Sequence, residues 1–228
     1  MHFEQRSYSG KLFRPTPHFH MEEDGSLIIV ATPWGQKSGA KKAVENIVDL
    51  YLSAQNDGEA TSALEKMASL SVAANNLRSA VMVTNRMLFQ EDNKDEYQTG
   101  LEIFAGTIVG KEFSFVQIGQ PQVFLLRSFY PIAPLATSVD LSVSLSPPGQ
   151  MLSAIPSHLM GIEPQVNLSV HSYSIHPGDR IALLSRSFAT SRFMSMDSSE
   201  ASIESMTSEL VKQDEQMPFW MGLVDTAN

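Results

Sequence analysis

The run from Gly100 to Arg127, GLEIFAGTIVGKEFSFVQIGQPQVFLLR, leaves the chain the fewest choices, because it reads as three strands joined by tight turns. Leu101 to Val109 is apolar or small, and Gly110-Lys111 is a turn signal. Phe113, Phe115 and Gln117 then alternate with Ser114, Val116 and Ile118, the period of a pleated strand. Gly119 breaks the run and Gln122 to Arg127 resumes it, so the expectation is an antiparallel meander pivoting at Gly119-Gln120-Pro121.

The segments on either side supply further strands and the helices. Residues 1 to 33 read as short extended runs ending in the β-branched strand SLIIVAT, with Glu22-Glu23-Asp24-Gly25 as the turn into it. Residues 33–39 read as a loop. A helix is predicted from about Ala40 to Ala54, with Val44, Ile47, Val48 and Tyr51 on one face, ended by Asn56-Asp57-Gly58. A second helical region is predicted from about Ala60 to Gln90 on the spacing of Leu64, Met67, Leu70, Leu77, Val81, Thr84 and Leu88, with Asn75-Asn76 as a candidate interruption. Its methionines Met67, Met82 and Met87 read as core filler, and Glu91 to Gln98 as a solvated connector. Residues 128–164, rich in Pro, Ser and Gly, read as a long ordered loop with one short helix, the kind of segment that carries partner contacts. Strands follow over Val166–Ser174 and Arg180–Leu184, then a helix over Ser198–Lys212 and a closing strand over Phe219–Val224. Asp179 reads as shaping the Pro-Gly-Asp turn.

Composition narrows the function. A chain of 228 residues that is 43% hydrophobic can bury one good core and does not require two, so one domain over 1–228 is expected. Its net charge of -9, with no Lys/Arg cluster, argues against nucleic acid as partner. The absence of cysteine removes thiol chemistry and thiolate metal sites and fits a reducing compartment. No run approaches the ~18 apolar residues of a membrane span, and the N-terminal MHFEQRSYSGK has no apolar signal core, so a cytoplasmic protein without a membrane segment is expected.

The order of elements, with several glycines in register, resembles the metal-dependent serine/threonine protein phosphatases of the PPM, or type 2C, family over nearly the whole chain. Where that family has Val-Ala-Asp-Gly-x-Gly-Gly, this chain has Val30-Ala31-Thr32-Pro33-Trp34-Gly35-Gln36. Its Gly-Thr-Thr-Leu falls at Gly100-Leu101-Glu102-Ile103, and its Gly-Asp-Ser-Arg turn, nineteen residues on, at Gly119-Gln120-Pro121-Gln122. Its Pro-Gly-Asp-Arg strand leading to Ser-Asp-Gly-Leu matches Pro177-Gly178-Asp179-Arg180 through Ser185-Arg186-Ser187-Phe188, and its last Asp-Asn falls at Met217-Pro218. The resemblance implies an α+β fold in which two antiparallel sheets pack face to face with helices outside.

It also implies lost chemistry. The family's aspartates at the positions of Thr32, Arg186 and Met217 help hold two metal ions roughly 3.5–4 Å apart that generate the attacking hydroxide. Thr32 is a weak neutral ligand, Met217 a soft thioether, and Arg186 a fixed positive charge that repels dications. The turn aspartate has become Gln120, and Pro33 replaces the glycine after the first aspartate. Arg14 matches the family's phosphate-contacting arginine and, with Arg186, suggests a metal-free phosphate pocket; the alternative is that Arg186 pairs with a nearby acid or faces water at a strand end.

No Gly-x-Ser-x-Gly elbow or phosphate-binding loop is present. His18 and His20, with Glu22 on the same side of a strand, have zinc-like spacing, but no third ligand is indicated, and a surface-facing strand followed by an acidic turn accounts for them better. The expected function is therefore a catalytically inactive pseudophosphatase without cofactor. It would bind a protein, with a phosphoprotein or a kinase as candidates. The alternative is a divergent phosphohydrolase that has relocated its metal ligands to His18, His20 and nearby carboxylates, and a third reading is an oligomer subunit.

Overall fold

The structure, a computed structural model, describes residues 2–23, 25–56 and 66–226. In chain order its elements are β1 (His2–Tyr8), β2 (His18–Met21), β3 (Leu27–Pro33), α1 (Lys37–Asn56), α2 (Val72–Met87) with a π turn at Leu88–Asp92, β4 (Leu101–Val109), β5 (Glu112–Ile118), β6 (Gln122–Leu126), β7 (Ala133–Ala136), α3 (Leu141–Leu145), β8 (Ser169–Ser174), β9 (Arg180–Ser185), α4 (Ser191–Met194), α5 (Ile203–Gln213) and β10 (Phe219–Asp225). They make two five-stranded antiparallel sheets, β1-β10-β9-β6-β7 and β2-β3-β4-β5-β8, and the α+β class read from the sequence is the one observed. The chain divides into two compact units, one of Met1–Arg14, Gln120–Ser157 and His176–Asn228, the other of Pro15–Gly119 and His158–Ile175.

The second unit is built on the β3–β4–β5 core. All seven residues of β3 are buried, as a continuous apolar strand requires. Leu27, Ile29 and Ala31 meet Ile103, Ala105, Val116 and Ile118 on the face covered by Ala40, Ala43, Val44, Ile47, Leu77 and Val81 of α1 and α2. Tyr51 is wholly buried on α1 and its hydroxyl lies 2.9 Å from Thr107 Oγ1, which itself donates to Ser26 C=O at 2.7 Å. Tyr51 and Thr107 thus enter this core paired.

Helix α1 begins at Lys37, three residues before the predicted start. Glycine disfavours a helix interior, but a Cβ on Gly39 would lie 2.2 Å from Thr99 Cγ2, so close approach of the first turn decides the residue. For the second helix, residues 57–65, including Asp57-Gly58, Ala60 and Leu64 of the sequence reading, lie outside the described residues, as does Asp24. The helix itself starts only at Val72, capped by Ser71 Oγ on Ala74 N–H. Asn75 does not interrupt it. Its side chain accepts from Met67 N–H and donates to the carbonyls of Met67, Leu70 and Ser71, gathering the entry turn. Met67 is 45% exposed, which removes it from the core.

Three further expectations are corrected. The meander is a β4–β5 hairpin only: β6 pairs with β9 and β7 in the other sheet, because Gly119 at φ +70° turns the chain away. A Cβ there would sit 2.6 Å from Glu102 Oε1, so a glycine is needed for space as well as for its backbone. The long loop contains strand β7 as well as α3, and the helix predicted from Ser198 starts at Ile203, where Ser202 and Ser205 form a reciprocal cap.

The connector Glu91–Gln98 is not simply solvated. Asn93 is buried, donates through Nδ2 to Thr99 and Gly161 carbonyls at 2.7 Å each, and accepts at Oδ1 from Gln98 and Thr99 N–H at 2.8 and 2.9 Å. Asn85 holds the same distant segment, accepting from Gly161 N–H at 2.7 Å and donating to Glu163 C=O at 3.0 Å. Replacing Asn93 by Ala would strand four backbone groups, and the expected loss is about 3 kcal/mol in chemical denaturation. An exposed neighbour change, Lys94→Ala, should cost less than about 0.5 kcal/mol in the same measurement.

Candidate functional site

In the first unit, three of the positions singled out by the resemblance come together around one buried cation. Arg186 follows directly on β9 and has no exposed surface. Its Nε donates to Met217 Sδ at 3.1 Å, Nη1 to Leu210 C=O at 2.9 Å and Nη2 to Asp214 C=O at 3.5 Å. Leu210 and Asp214 are the last turn and C-cap of α5, whose carbonyls carry the negative end of the helix dipole, and Leu210 C=O also accepts from Asp214 N–H at 3.3 Å. The guanidinium carbon also lies 5.8 Å from the centroid of the Phe219 ring. Behind it, Gln120 and Gln122 both donate to Arg186 C=O at 3.0 Å. Burial pulls the Arg186 pKa below its ordinary value, with the Arg14 charge adding to this and the Asp214 charge opposing it. Arg186 therefore neither faces water nor rests on a carboxylate through any of these three bonds; its partners are carbonyls, a thioether and a ring.

Arg14 is held in the same unit by a different set. Its Nη2 donates to Asp140 Oδ2 at 2.5 Å and to Ser187 Oγ at 3.1 Å, and both charged side chains are 3% exposed. Asp140 is also the N-cap of α3, accepting from Ser142 N–H, and it accepts from Ile155 N–H, each at 3.0 Å. Burial by itself would raise the Asp140 pKa, but hydrogen bonds from Ile155, Ser187 and Ser142 and the Arg14 charge outweigh it, and the carboxyl is held below its usual range. Asp179 plays the turn role expected of it, accepting from His176 N–H at 2.8 Å and pairing with Arg127 at 2.7 Å.

Thr32 and Pro33 lie in the second unit at the end of β3, opposite Glu102 and Leu101. Thr32 is fully buried and its hydroxyl has no hydrogen-bond partner among the described residues. Glu102, 1% exposed, accepts from Trp34 Nε1 at 2.9 Å. Of the proposed relocated ligands, His20 Nε2 is 2.9 Å from Glu22 Oε1, while His18 is exposed.

The donor set answers whether these positions suit the metal pair that the resemblance implies. Guanidinium, thioether, carboxamide and hydroxyl stand where Mg²⁺ or Mn²⁺ would need carboxylate oxygens, and they do not fit such ions. Among the described residues no group of three or more His, Asp and Glu side chains is placed to hold a metal ion. The sequence reading missed Asp140 and Glu102. Each had a signal: Asp140 stands as an N-cap before LSVSL, and Glu102 is a lone acid in an otherwise apolar strand. Nothing local marked Gln122 or the α5 carbonyls as partners of Arg186.

Arg186→Ala should lower stability by about 3 kcal/mol, since it leaves buried acceptors unpaired and opens a void, whereas Arg192→Ala, at a 77% exposed side chain, should change it by under about 0.5 kcal/mol. Asp140, with its folded pKa depressed, adds stability above the ordinary carboxylate range that is lost as pH falls through its folded value. Asp140→Asn should flatten that acid limb in a stability–pH series.

No family model matches the chain, and no curated protein sequence matches it. Solved structures do. PppA of Pseudomonas aeruginosa, a key regulatory component of its T6SS, superposes with a TM-score of 0.67 at 16% identity over 98% of this chain and 96% of that one. The serine/threonine phosphatase PstP/Ppp of Mycobacterium tuberculosis gives 0.66 at 15% identity over 100% and 99%, and the PPM Ser-Thr phosphatase MsPP of Mycobacterium smegmatis, in complex with cacodylate, 0.67 at 15% over 99% and 98%. With its sheet order, its helices and these superpositions, the chain has the fold of the PPM serine/threonine phosphatases.

Proposed function

We propose that this protein is a pseudophosphatase: a PPM-like module, acting as one domain over its whole length, that binds a protein partner and does not hydrolyse phosphoesters. The observation that carries the reading is Arg186. At a position where the resemblance calls for a metal-binding carboxylate, the chain buries a guanidinium and satisfies it with Met217, itself at another such position, and with the end of α5. Thr32, Pro33 and Gln120 complete the set of positions from which the metal chemistry has been removed. Arg14, engaged with Asp140 and Ser187, is the residue through which a phosphate-bearing partner would be sensed, by competition for that buried pair.

The segment Ser128–Pro164 supports a binding role, because it exposes Phe129, Tyr130, Val139, Val143 and Leu145. A phosphoprotein or a kinase is the partner class we favour, and the regulatory role stated for PppA is consistent with it. The absence of cysteine supports a cytoplasmic setting. No described helix is long and apolar enough to cross a membrane.

The test is hydrolysis of p-nitrophenyl phosphate with Mn²⁺ or Mg²⁺, together with Mn²⁺ titration calorimetry. No turnover that scales with protein and no stoichiometric Mn²⁺ binding are expected. Metal-dependent turnover that follows the purified chain through successive columns would sink the proposal and favour rebuilt ligands.

A further inference from the structure

The second unit holds a cavity of about 550 Å³ at the end of α2. Arg86 and Gln90 line it from the helix side, and Glu163, Pro164, Gln165 and Asn167 line it from the segment that follows Gly161. Its backbone is pinned. Asn85, next to Arg86 and itself buried, accepts from Gly161 N–H at 2.7 Å and donates to the carbonyls of Glu163 and Pro164 at 3.0 and 3.4 Å. The helix side is irregular: Asn93 N–H donates to Leu88 C=O at 3.0 Å, closing the π turn that contains Gln90, and such turns collect at functional sites.

The two charges of this cavity are opposite and unpaired. Arg6, Arg14, Lys41, Lys42, Arg127 and Arg192 each take a carboxylate partner. Arg86 and Glu163 line one cavity, yet among the described residues neither forms an ion pair, with the other or with anything else. The side chains of Gln90, Gln165 and Asn167 likewise make no hydrogen bond among the described residues. One cation, one anion and three neutral carboxamides therefore face the same space with their donors and acceptors open to a ligand.

We propose that this cavity binds a free α-amino acid with a neutral polar side chain, its carboxylate on Arg86 and its ammonium on Glu163. A guanidinium meets a carboxylate through two parallel N–H···O bonds, and a carboxylate accepts from an ammonium. The charge pattern selects the ligand class. A simple anion would satisfy Arg86 and be repelled by Glu163, and a simple cation would do the reverse, whereas a zwitterion answers both. No further charge lines the cavity, so a neutral side chain is the one that fits the rest. A side-chain carboxamide suits it best, because it can donate to and accept from Gln90, Gln165 and Asn167 at once. The proposal is independent of whether the module hydrolyses phosphoesters.

Arg86 and Glu163 are exposed, so each new bond replaces one to water, and the dissociation constant should be on the order of 1 mM. The probe is L-glutamine, titrated into the isotope-labelled full chain from about 0.1 to about 30 mM and followed by the backbone amide signals of Gln90, Gln165 and Asn167. Those signals should shift saturably. Arg86→Gln and Glu163→Gln, at exposed side chains and so without cost to the core, should each raise the dissociation constant at least about tenfold, and Arg192→Gln should leave it unchanged. Glutaric acid monoamide, which is glutamine without its ammonium, and 4-aminobutanamide, which is glutamine without its carboxylate, should each bind at least about tenfold more weakly. The proposal is overturned if L-glutamine produces no saturable shift at these residues or if either analogue matches it. It is equally overturned by affinity that survives either cavity variant or is lost to the same extent in Arg192→Gln.

Discussion

A guanidinium with no exposed surface must find acceptors for its donors, and much of the first unit is arranged so that Arg186 finds them. The chain leaving β9 delivers the side chain to the last carbonyls of α5, the segment before β10 delivers Met217, and Phe219 at the start of β10 brings its ring. Two glutamines from the β6 side close on the Arg186 carbonyl. A helix C-terminus, two strand ends and the bend before β6 thus share one charged centre. Removing the end of α5 would leave the buried guanidinium without its two carbonyl acceptors.

This arrangement bears on chemistry as well as on stability. A helix C-terminus favours positive charge, so a permanent cation belonging to the chain can be held there by carbonyls alone. Arg14 adds a second cation in the same unit, answered by Asp140 and Ser187. Both are positions where the PPM resemblance points to metal or phosphate, and in both the charge is balanced by protein atoms.

The second unit depends on amides. Asn85 and Asn93 each tie the region after α2 to the segment around Gly161, and Asn75 gathers the turn that precedes α2. A carboxamide can donate and accept at once, so it can close irregular backbone where neither a helix nor a sheet supplies partners. Composition treats asparagine as a loop marker, and here that habit misled: Asn75 had read as a break and the Asn93 segment as solvated. Their partners lie up to 68 residues away in sequence for Asn93 and 79 for Asn85, outside the reach of any local pattern.

The strands were legible because period-2 alternation and β-branched runs are local consequences of pleating, and Leu27–Pro33, Leu101–Val109 and Glu112–Ile118 fall close to where the pattern puts them. The inward stripe of α1 and the Asp179 turn were legible for the same reason. The resemblance carried by spaced glycines pointed to the PPM fold, and Gly119 shows what one of them does in this chain: it turns the backbone at φ +70° against the Glu102 side chain. Which sheet β6 joins, where α2 begins and what Arg186 touches were decided only in three dimensions. Each depends on which distant group satisfies a strand edge, a helix end or a buried charge, and that choice is made by the packed chain as a whole, not by any window of its sequence.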